Sequence, residues 1–167
     1  MTRSVWCWFG VAAGLLLAIT AAYPQGRAIY PPPERAKADL ALAIRRAEAT
    51  HKRVLVDFGG NWCGDCIVLD IYMHREPNKE LLARNYEMVH VNIGRYDKNL
   101  DMAQRFGIPL SLGVPALAVL SGRGKLIFSQ SSGQFEKMQQ LDPDVVTKFL
   151  IRWKPIKPGC SAVRVDC

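Results

Sequence analysis

The chain has 167 residues, which is enough for one domain with a sizeable hydrophobic core. Its apolar content of 49% is ordinary for a globular protein and argues against an intrinsically disordered chain. The net charge is +7, but the basic residues are scattered and no nucleic-acid-binding motif accompanies them, so we expect no nucleic-acid partner.

The N-terminal segment has the pattern of a secretory signal peptide. Arg3 precedes an apolar run that is richest from Val11 to Ala22, and small residues end the run. We therefore predict a signal peptide over residues 1–22, cleaved after Ala22, and export to an oxidising compartment, the bacterial periplasm. The alternative is an uncleaved anchor facing the periplasm, because the run is just long enough to span a bilayer. Contact with the membrane is expected only if the segment is retained.

A proline-rich linker over residues 23–33 is predicted to precede a single domain over residues 34–153. The domain begins with a helix from about Glu34 to His51, because apolar residues recur there at helical spacing. The predicted core face of this helix consists of Ala36, Leu40, Ala43, Ile44 and Ala47.

The next apolar stretch predicts a buried strand that runs into a helix. Residues Val54 to Phe58 are apolar apart from Asp57, as in a central strand that is covered on both faces. Gly59-Gly60 ends the strand, and Cys63-Gly64-Asp65-Cys66 is predicted to begin the helix. We expect the apolar face of that helix to consist of Ile67, Leu69, Ile71 and Met73.

The cysteine pair at the start of this helix has a clear chemical use. Unpaired N–H groups at a helix N-terminus stabilise a thiolate, which makes Cys63 the better nucleophile. Cys66 lies one turn later, close enough to form a disulfide with Cys63. We therefore predict that Cys63 attacks a substrate disulfide and that Cys66 resolves the resulting mixed disulfide.

Metal and haem sites fit the cysteine pair less well. A zinc site usually needs a second close Cys/His pair, and the histidines and remaining cysteines of this chain are scattered. Residue 67 is Ile rather than His, so the attachment pattern of c-type haem is absent. We expect no metal and no bound cofactor.

Asp57 is the candidate proton acceptor for this chemistry. A carboxylate inside an apolar strand is costly unless it has a task, and Asp57 is placed to take the proton of Cys66 when that thiol attacks. The alternative is a carboxylate on an edge strand. The unbroken apolar run around Asp57 favours the first interpretation.

The rest of the domain is predicted to combine helices and strands. In chain order we predict a helical piece from Pro77 to about Arg84, a strand from Tyr86 to Ile93, a short helix from Lys98 to Phe106, strands over Ala116–Leu120 and Lys125–Gln130, and a last helix capped by Asp142-Pro143-Asp144. The last helix is expected to direct Val145, Val146, Phe149, Leu150 and Trp153 toward the core. This order suits a mixed sheet with helices on both faces.

The motif Val56-Asp57-Phe58, followed shortly by Trp62-Cys63 and Cys66, resembles the thioredoxin family. The resemblance extends over roughly Leu40 to Trp153. It implies an α/β protein with the thioredoxin fold, in which helices flank a mixed central sheet, here with an extra N-terminal helix.

The thioredoxin family also has a cis-proline that faces the cysteine pair and precedes an apolar strand. Val114-Pro115 matches that feature, with Pro109 as the alternative. The resemblance implies that Trp62, Val114 and Pro115 contact the substrate. A packing role for Trp62 is the alternative to such a docking role.

The C-terminal segment, residues 154–167, is predicted to be an irregular tail. Without Cys7, which would leave with the signal peptide, an even number of cysteines remains. Cys160 and Cys167 are candidates for a small structural disulfide loop in an oxidising compartment. The alternative is a redox relay to the first cysteine pair.

The residues and the resemblance together predict an exported thiol–disulfide oxidoreductase whose partners are protein disulfides and an upstream redox donor. Small thioredoxins usually have proline where this chain has Asp65. The Asp65 carboxylate opposes formation of a nearby thiolate, which favours a reductase. The alternatives are a disulfide oxidase or isomerase, and a non-catalytic binding module in which the cysteine pair is merely structural.

Overall fold

The computed structural model describes residues 28–156, and a four-stranded sheet lies at their centre. The strands are β1 (Arg53–Gly59), β2 (Tyr86–Asn92), β3 (Ala116–Leu120) and β4 (Leu126–Ser129). Their spatial order is β2-β1-β3-β4, with β1 parallel to β2 and antiparallel to β3, and with β4 antiparallel to β3. β1 is therefore a central strand, as its continuous apolar sequence predicts.

Helices cover both faces of the sheet. They are α1 (Ala36–Thr50), α2 (Gly64–Met73), α3 (Asn78–Asn85), α4 (Leu100–Arg105) and α5 (Asp144–Trp153). The first and fourth helices pack on one face, and the second and fifth pack on the other. The predicted α/β architecture, a mixed sheet flanked by helices with an additional N-terminal helix, is confirmed.

Two apolar cores hold these layers together. Successive side chains of a strand point to opposite faces, so Val54, Val56 and Phe58 pack with α1 and α4, whereas Leu55 packs with α2 and α5. The predicted core faces of the first and last helices are confirmed, with every predicted residue buried or partly buried in one of these cores.

The predicted apolar face of α2 is wrong in part. Leu69 and Met73 are buried together with Cys66, but Ile67 and Ile71 are each 42% exposed. The predicted residues recur at every second position, which is the period of a strand. A helix instead buries residues three to four positions apart, and Cys66, Leu69 and Met73 have that spacing.

The other predicted helices and strands are present, with ends within two residues of the predicted ones. The sequence analysis missed two short 3-10 turns, Leu110–Leu112 before β3 and Met138–Gln140 after β4. Both lie in segments that lack a clear hydrophobic period, so no pattern indicates them.

Some predictions concern residues outside the described range. The predicted signal peptide or anchor and the candidate Cys160–Cys167 disulfide both lie there, as does most of the predicted linker. Within residues 28–156, no helix has the length and apolar character needed to cross a membrane.

Candidate active site

The cysteine pair forms a disulfide at the N-terminus of α2. Cys63 is the N-cap residue in an extended conformation, and its Sγ accepts the main-chain N–H of Cys66 at 3.1 Å. The sulfur therefore takes the place of the oxygen that usually caps a helix. Cys63 is 6% exposed and Cys66 is 1% exposed, so Cys63 is the more accessible of the two residues.

The segment that precedes β3 lies against Cys63. The Val114–Pro115 peptide bond is cis, and the carbonyl oxygen of Val114 is 3.5 Å from the Cys63 Sγ. This confirms Pro115, rather than Pro109, as the cis-proline. The substrate-binding roles of Val114 and Pro115 stay predictions.

Asp57 is buried in the middle of β1, with 2% of its surface exposed. Its Oδ2 accepts a hydrogen bond from the Tyr30 hydroxyl at 2.7 Å and lies 3.0 Å from Nδ1 of His90. Its Oδ1 is buried and has no hydrogen-bond partner among residues 28–156. The edge-strand alternative for Asp57 is wrong, because β1 has a neighbouring strand on each side.

The sequence analysis did not identify either partner of Asp57. His90 lies directly opposite Asp57 in the parallel register of β1 and β2. The sequence feature that indicates His90 is a polar residue between Val89 and Val91, the same pattern that marks Asp57 as a candidate. Tyr30 comes from a segment predicted as linker, where no local pattern points to a site.

Tyr30 is kept as a protonated hydrogen-bond donor by its surroundings. The side chain is 1% exposed, and its ring packs edge-on against the His90 ring with centroids 5.3 Å apart. Burial, together with the charge of Asp57, raises the pKa of the Tyr30 hydroxyl well above its usual value. The Tyr30 hydroxyl therefore keeps its proton throughout the physiological pH range and can donate it to Asp57 Oδ2.

Three asparagines hold the chain around Tyr30 in place. We call residues 28–33 the N-terminal strap. The Oδ1 of Asn61 accepts the main-chain N–H groups of Tyr30 and of the residue before it, and its Nδ2 donates to the Tyr30 carbonyl, each at 2.9 Å. Asn92 and Asn99 donate to carbonyl groups further along the strap at 3.0 and 2.9 Å. The strap is thereby fixed to the loop before the cysteine pair, to the end of β2 and to the loop that follows β2.

Trp62 has both a packed and an exposed side. Its indole N–H donates to the Gly94 carbonyl, and its ring lies 5.5 Å from the Tyr96 ring and 5.4 Å from the Arg95 guanidinium carbon. The side chain is nevertheless 38% exposed. The packing contacts are therefore real, and the docking role of Trp62 stays a prediction.

Asp65 is tied to the turn that follows β4. Its Oδ1 accepts the main-chain N–H of Gln139 at 2.9 Å. That turn, Met138–Gln140, packs against α2 through the buried Met138. The hydrogen bond offsets part of the negative charge that Asp65 brings to the cysteine motif.

The arrangement suits thiol–disulfide exchange. It combines a sulfur at a helix N-terminus, a second sulfur buried behind it and a buried carboxylate, one oxygen of which has no hydrogen-bond partner among residues 28–156. Within residues 28–156, no group of three or more His, Cys, Asp or Glu side chains is arranged to hold a metal ion.

Comparison with known proteins identifies similar chains by sequence and by structure. The sequence profile of a family described as thioredoxin-like matches residues 35–122. A thioredoxin from Chlorobaculum thiosulfatiphilum is 33% identical over 82 residues, which make up 47% of this chain and 64% of that protein. This chain thus matches less than two thirds of the length of that curated relative.

Two solved structures show the same fold. A disulphide isomerase from Xylella fastidiosa Temecula1 superposes with a TM-score of 0.71 at 28% identity, covering 75% of this chain and 96% of that one. The germline-specific thioredoxin protein Deadhead from Drosophila melanogaster superposes with a TM-score of 0.50 at 17% identity, covering 71% of this chain and 95% of that one. The second likeness concerns the fold alone.

Proposed function

Because this chain belongs to the thioredoxin-like family, we propose that it is a thiol–disulfide oxidoreductase that reduces disulfide bonds in other proteins. The observation that carries the proposal is the Cys63–Cys66 disulfide at the N-terminus of α2. A thiolate at Cys63 would be stabilised by the N–H groups of the first helical turn, so this sulfur suits nucleophilic attack.

The proposed cycle begins when a dithiol donor reduces the Cys63–Cys66 disulfide. The Cys63 thiolate then attacks one sulfur of a substrate disulfide, and the other substrate sulfur leaves as a thiolate that takes a proton from water. Cys66 next loses its proton to Asp57 and attacks the Cys63 sulfur, which releases the substrate and re-forms the disulfide. Two electrons have then passed from the donor to the substrate.

We propose that Trp62, Val114 and Pro115 contact the substrate protein. Trp62 is exposed beside the attacking cysteine, and the Val114 carbonyl lies 3.5 Å from the Cys63 sulfur. A main-chain carbonyl in that position can accept a hydrogen bond from an extended substrate segment. The partners proposed for this protein are therefore protein disulfides and an upstream dithiol donor.

The reductase direction is supported by Asp65. A carboxylate a few ångströms from the sulfurs disfavours the thiolate by about 1 kcal/mol in a partly wet site. That energy corresponds to a few tens of millivolts at most, in the direction of a more reducing couple. The hydrogen bond from Gln139 to Asp65 makes the effect smaller than that of a free carboxylate.

Insulin reduction with a dithiol donor and equilibration with glutathione test this proposal. We expect insulin reduction above the rate of the donor alone, and a reduction potential near the thioredoxin value of about −270 mV. A potential near about −120 mV, typical of a strongly oxidising periplasmic enzyme, would contradict the reductase direction. A rate no higher than that of the donor alone would favour a non-catalytic binding module.

The second candidate function is disulfide isomerisation. It is favoured by the structural neighbour described as a disulphide isomerase, which is 28% identical to this chain. An isomerase attacks non-native disulfides with one cysteine and returns them rearranged, with no net transfer of electrons. The test starts from the reduced enzyme and a protein with scrambled disulfides, with no oxidant and no added donor. Recovery of that protein's activity would favour this candidate.

We also propose export with removal of residues 1–22. The support is the sequence pattern of Arg3, an apolar run and small residues that end at Ala22. In the envelope fraction of the native host, mass spectrometry should find a mature chain that begins at Tyr23. An intact N-terminus in the membrane fraction would instead support the anchored form.

A further inference from the structure

We infer that the Tyr30 hydroxyl is a catalytic proton relay in the resolving step and passes the proton of Cys66 to Asp57. The inference rests on the proposed function, because it concerns a step of that cycle. Tyr30 belongs to the N-terminal strap and lies 27 residues before Asp57. It is therefore separate from the cysteine motif and from the cis-proline.

Because Gly59 has no side chain, the Tyr30 hydroxyl and the Cys66 sulfur can approach each other. Leu55, Asp57 and Gly59 are alternate residues of β1 and share one face of the strand. A Cβ atom built on Gly59 would collide with the Tyr30 hydroxyl and would lie 2.8 Å from the Cys66 sulfur. Both groups therefore border the same small space, directly beyond Asp57 along the strand.

The hydroxyl also contacts the proposed proton acceptor. It donates to Oδ2 of Asp57 at 2.7 Å. Tyr30, Asp57 and Cys66 are all buried, so bulk water has little access to the path between the sulfur and the carboxylate. A hydroxyl that lies beside both groups can receive one proton while it gives up another.

The proposed step is balanced in protons and electrons. The Cys66 thiol gives its proton to the Tyr30 oxygen as the Tyr30 hydroxyl proton moves to Oδ2 of Asp57. The Cys66 sulfur then bonds to the Cys63 sulfur, the bond between Cys63 and the substrate breaks, and the substrate sulfur leaves with the electron pair. Tyr30 stays neutral, and Asp57 holds the proton.

The proton then needs an exit to solvent, which His90 provides. Its Nδ1 is 3.0 Å from the same Asp57 oxygen, and its side chain is partly exposed. The imidazole takes the proton of Asp57 on Nδ1 in the tautomer that carries its own proton on Nε2, and it then releases the Nε2 proton to solvent. The strap, the central strand and β2 thus contribute one group each to a single path.

Replacing Tyr30 with phenylalanine tests the inference, because it removes the hydroxyl and keeps the ring. The reduced protein is mixed in stopped flow with an aromatic disulfide whose released thiolate is coloured. Attack by Cys63 releases one coloured thiolate, and resolution by Cys66 releases the second, so the two steps appear as separate phases. We expect Tyr30→Phe to leave the first phase within twofold of the wild type and to slow the second about tenfold.

Tyr86→Phe is the matched control. Tyr86 is also buried, and its hydroxyl donates to the Leu150 carbonyl at 2.7 Å in the core between the sheet, α2 and α5. Both variants lose one buried hydrogen bond and keep the aromatic ring. Only Tyr30→Phe is expected to slow the second phase.

A double variant shows whether Tyr30 acts through Asp57. Adding Tyr30→Phe to Asp57→Asn should cause less than a twofold further change in the second phase, because the acceptor is already lost. Asn61→Ala removes three hydrogen bonds to the strap around Tyr30. It should also slow the second phase, and it tests the placement of Tyr30 without changing Tyr30 itself.

The outcomes separate the inference from the proposed function. A wild-type second phase in Tyr30→Phe would overturn the inference and leave the proposed function standing. Equal slowing of both phases in Tyr30→Phe, or slowing of the second phase in Tyr86→Phe, would assign Tyr30 a merely structural role and also overturn it. A wild-type protein that releases no coloured thiolate would overturn both.

Discussion

Replacing Cys66 with alanine should leave the protein covalently attached to its substrates. Without the second sulfur, the mixed disulfide formed by Cys63 has no internal group to resolve it. We expect the turnover of insulin reduction to fall by at least about a thousandfold. A stable complex of enzyme and substrate should be visible on a non-reducing gel, and thiol should release it.

Cys63→Ala is the control for the stable mixed disulfide expected of Cys66→Ala. It removes the sulfur that caps α2 and leaves Cys66, which is almost fully buried. We expect no mixed disulfide from this variant. Trapping by Cys63→Ala but not by Cys66→Ala would reverse the assignment of the attacking and resolving cysteines. Trapping by neither variant would contradict the proposed exchange.

Replacing Asp57 with asparagine should slow resolution of the mixed disulfide about a hundredfold at neutral pH. Asparagine has nearly the same shape and can still accept the Tyr30 hydrogen bond through its carbonyl oxygen. It cannot take up a proton, so the resolving step loses its general base. Stopped-flow release of the second coloured thiolate measures the rate, and circular dichroism checks that the fold is kept.

Glu87→Gln is the matched control for Asp57→Asn. Glu87 lies on β2 and pairs with Lys52 at 3.0 Å, so this variant also removes a carboxylate from the sheet. Glu87 lies opposite Val54, three residues from the Asp57–His90 pair in the register of β1 and β2, and we expect wild-type resolution. If Asp57→Asn resolves at the wild-type rate across neutral pH, Asp57 is not the proton acceptor.

The parts of the site that lie on one short stretch could be predicted from the sequence. The apolar strand with one carboxylate, the glycine pair and the cysteine spacing are local patterns. Each of them limits the structure that the same few residues can adopt. Pro115 was predictable because it directly precedes an apolar strand. The fold class followed in the same way, because helix and strand periods are local.

The parts that depend on register or on a distant segment could not be predicted. His90 faces Asp57 only because the two strands pair in one of several registers. Tyr30 reaches the site because asparagines elsewhere in the chain hold the strap, and no periodicity in residues 28–33 indicates this. The hydrogen bond that Asp65 accepts from Gln139 also escapes prediction, because it depends on where the turn after β4 packs.

Gly59 and Tyr30 constrain each other's identity. No side chain fits at position 59 while the tyrosine hydroxyl occupies that space, and the Cys66 sulfur borders the same space. A substitution at either position alone leaves a collision or an empty volume in the core. Residue 59 can therefore gain a side chain only in a variant that also replaces Tyr30 with a smaller residue.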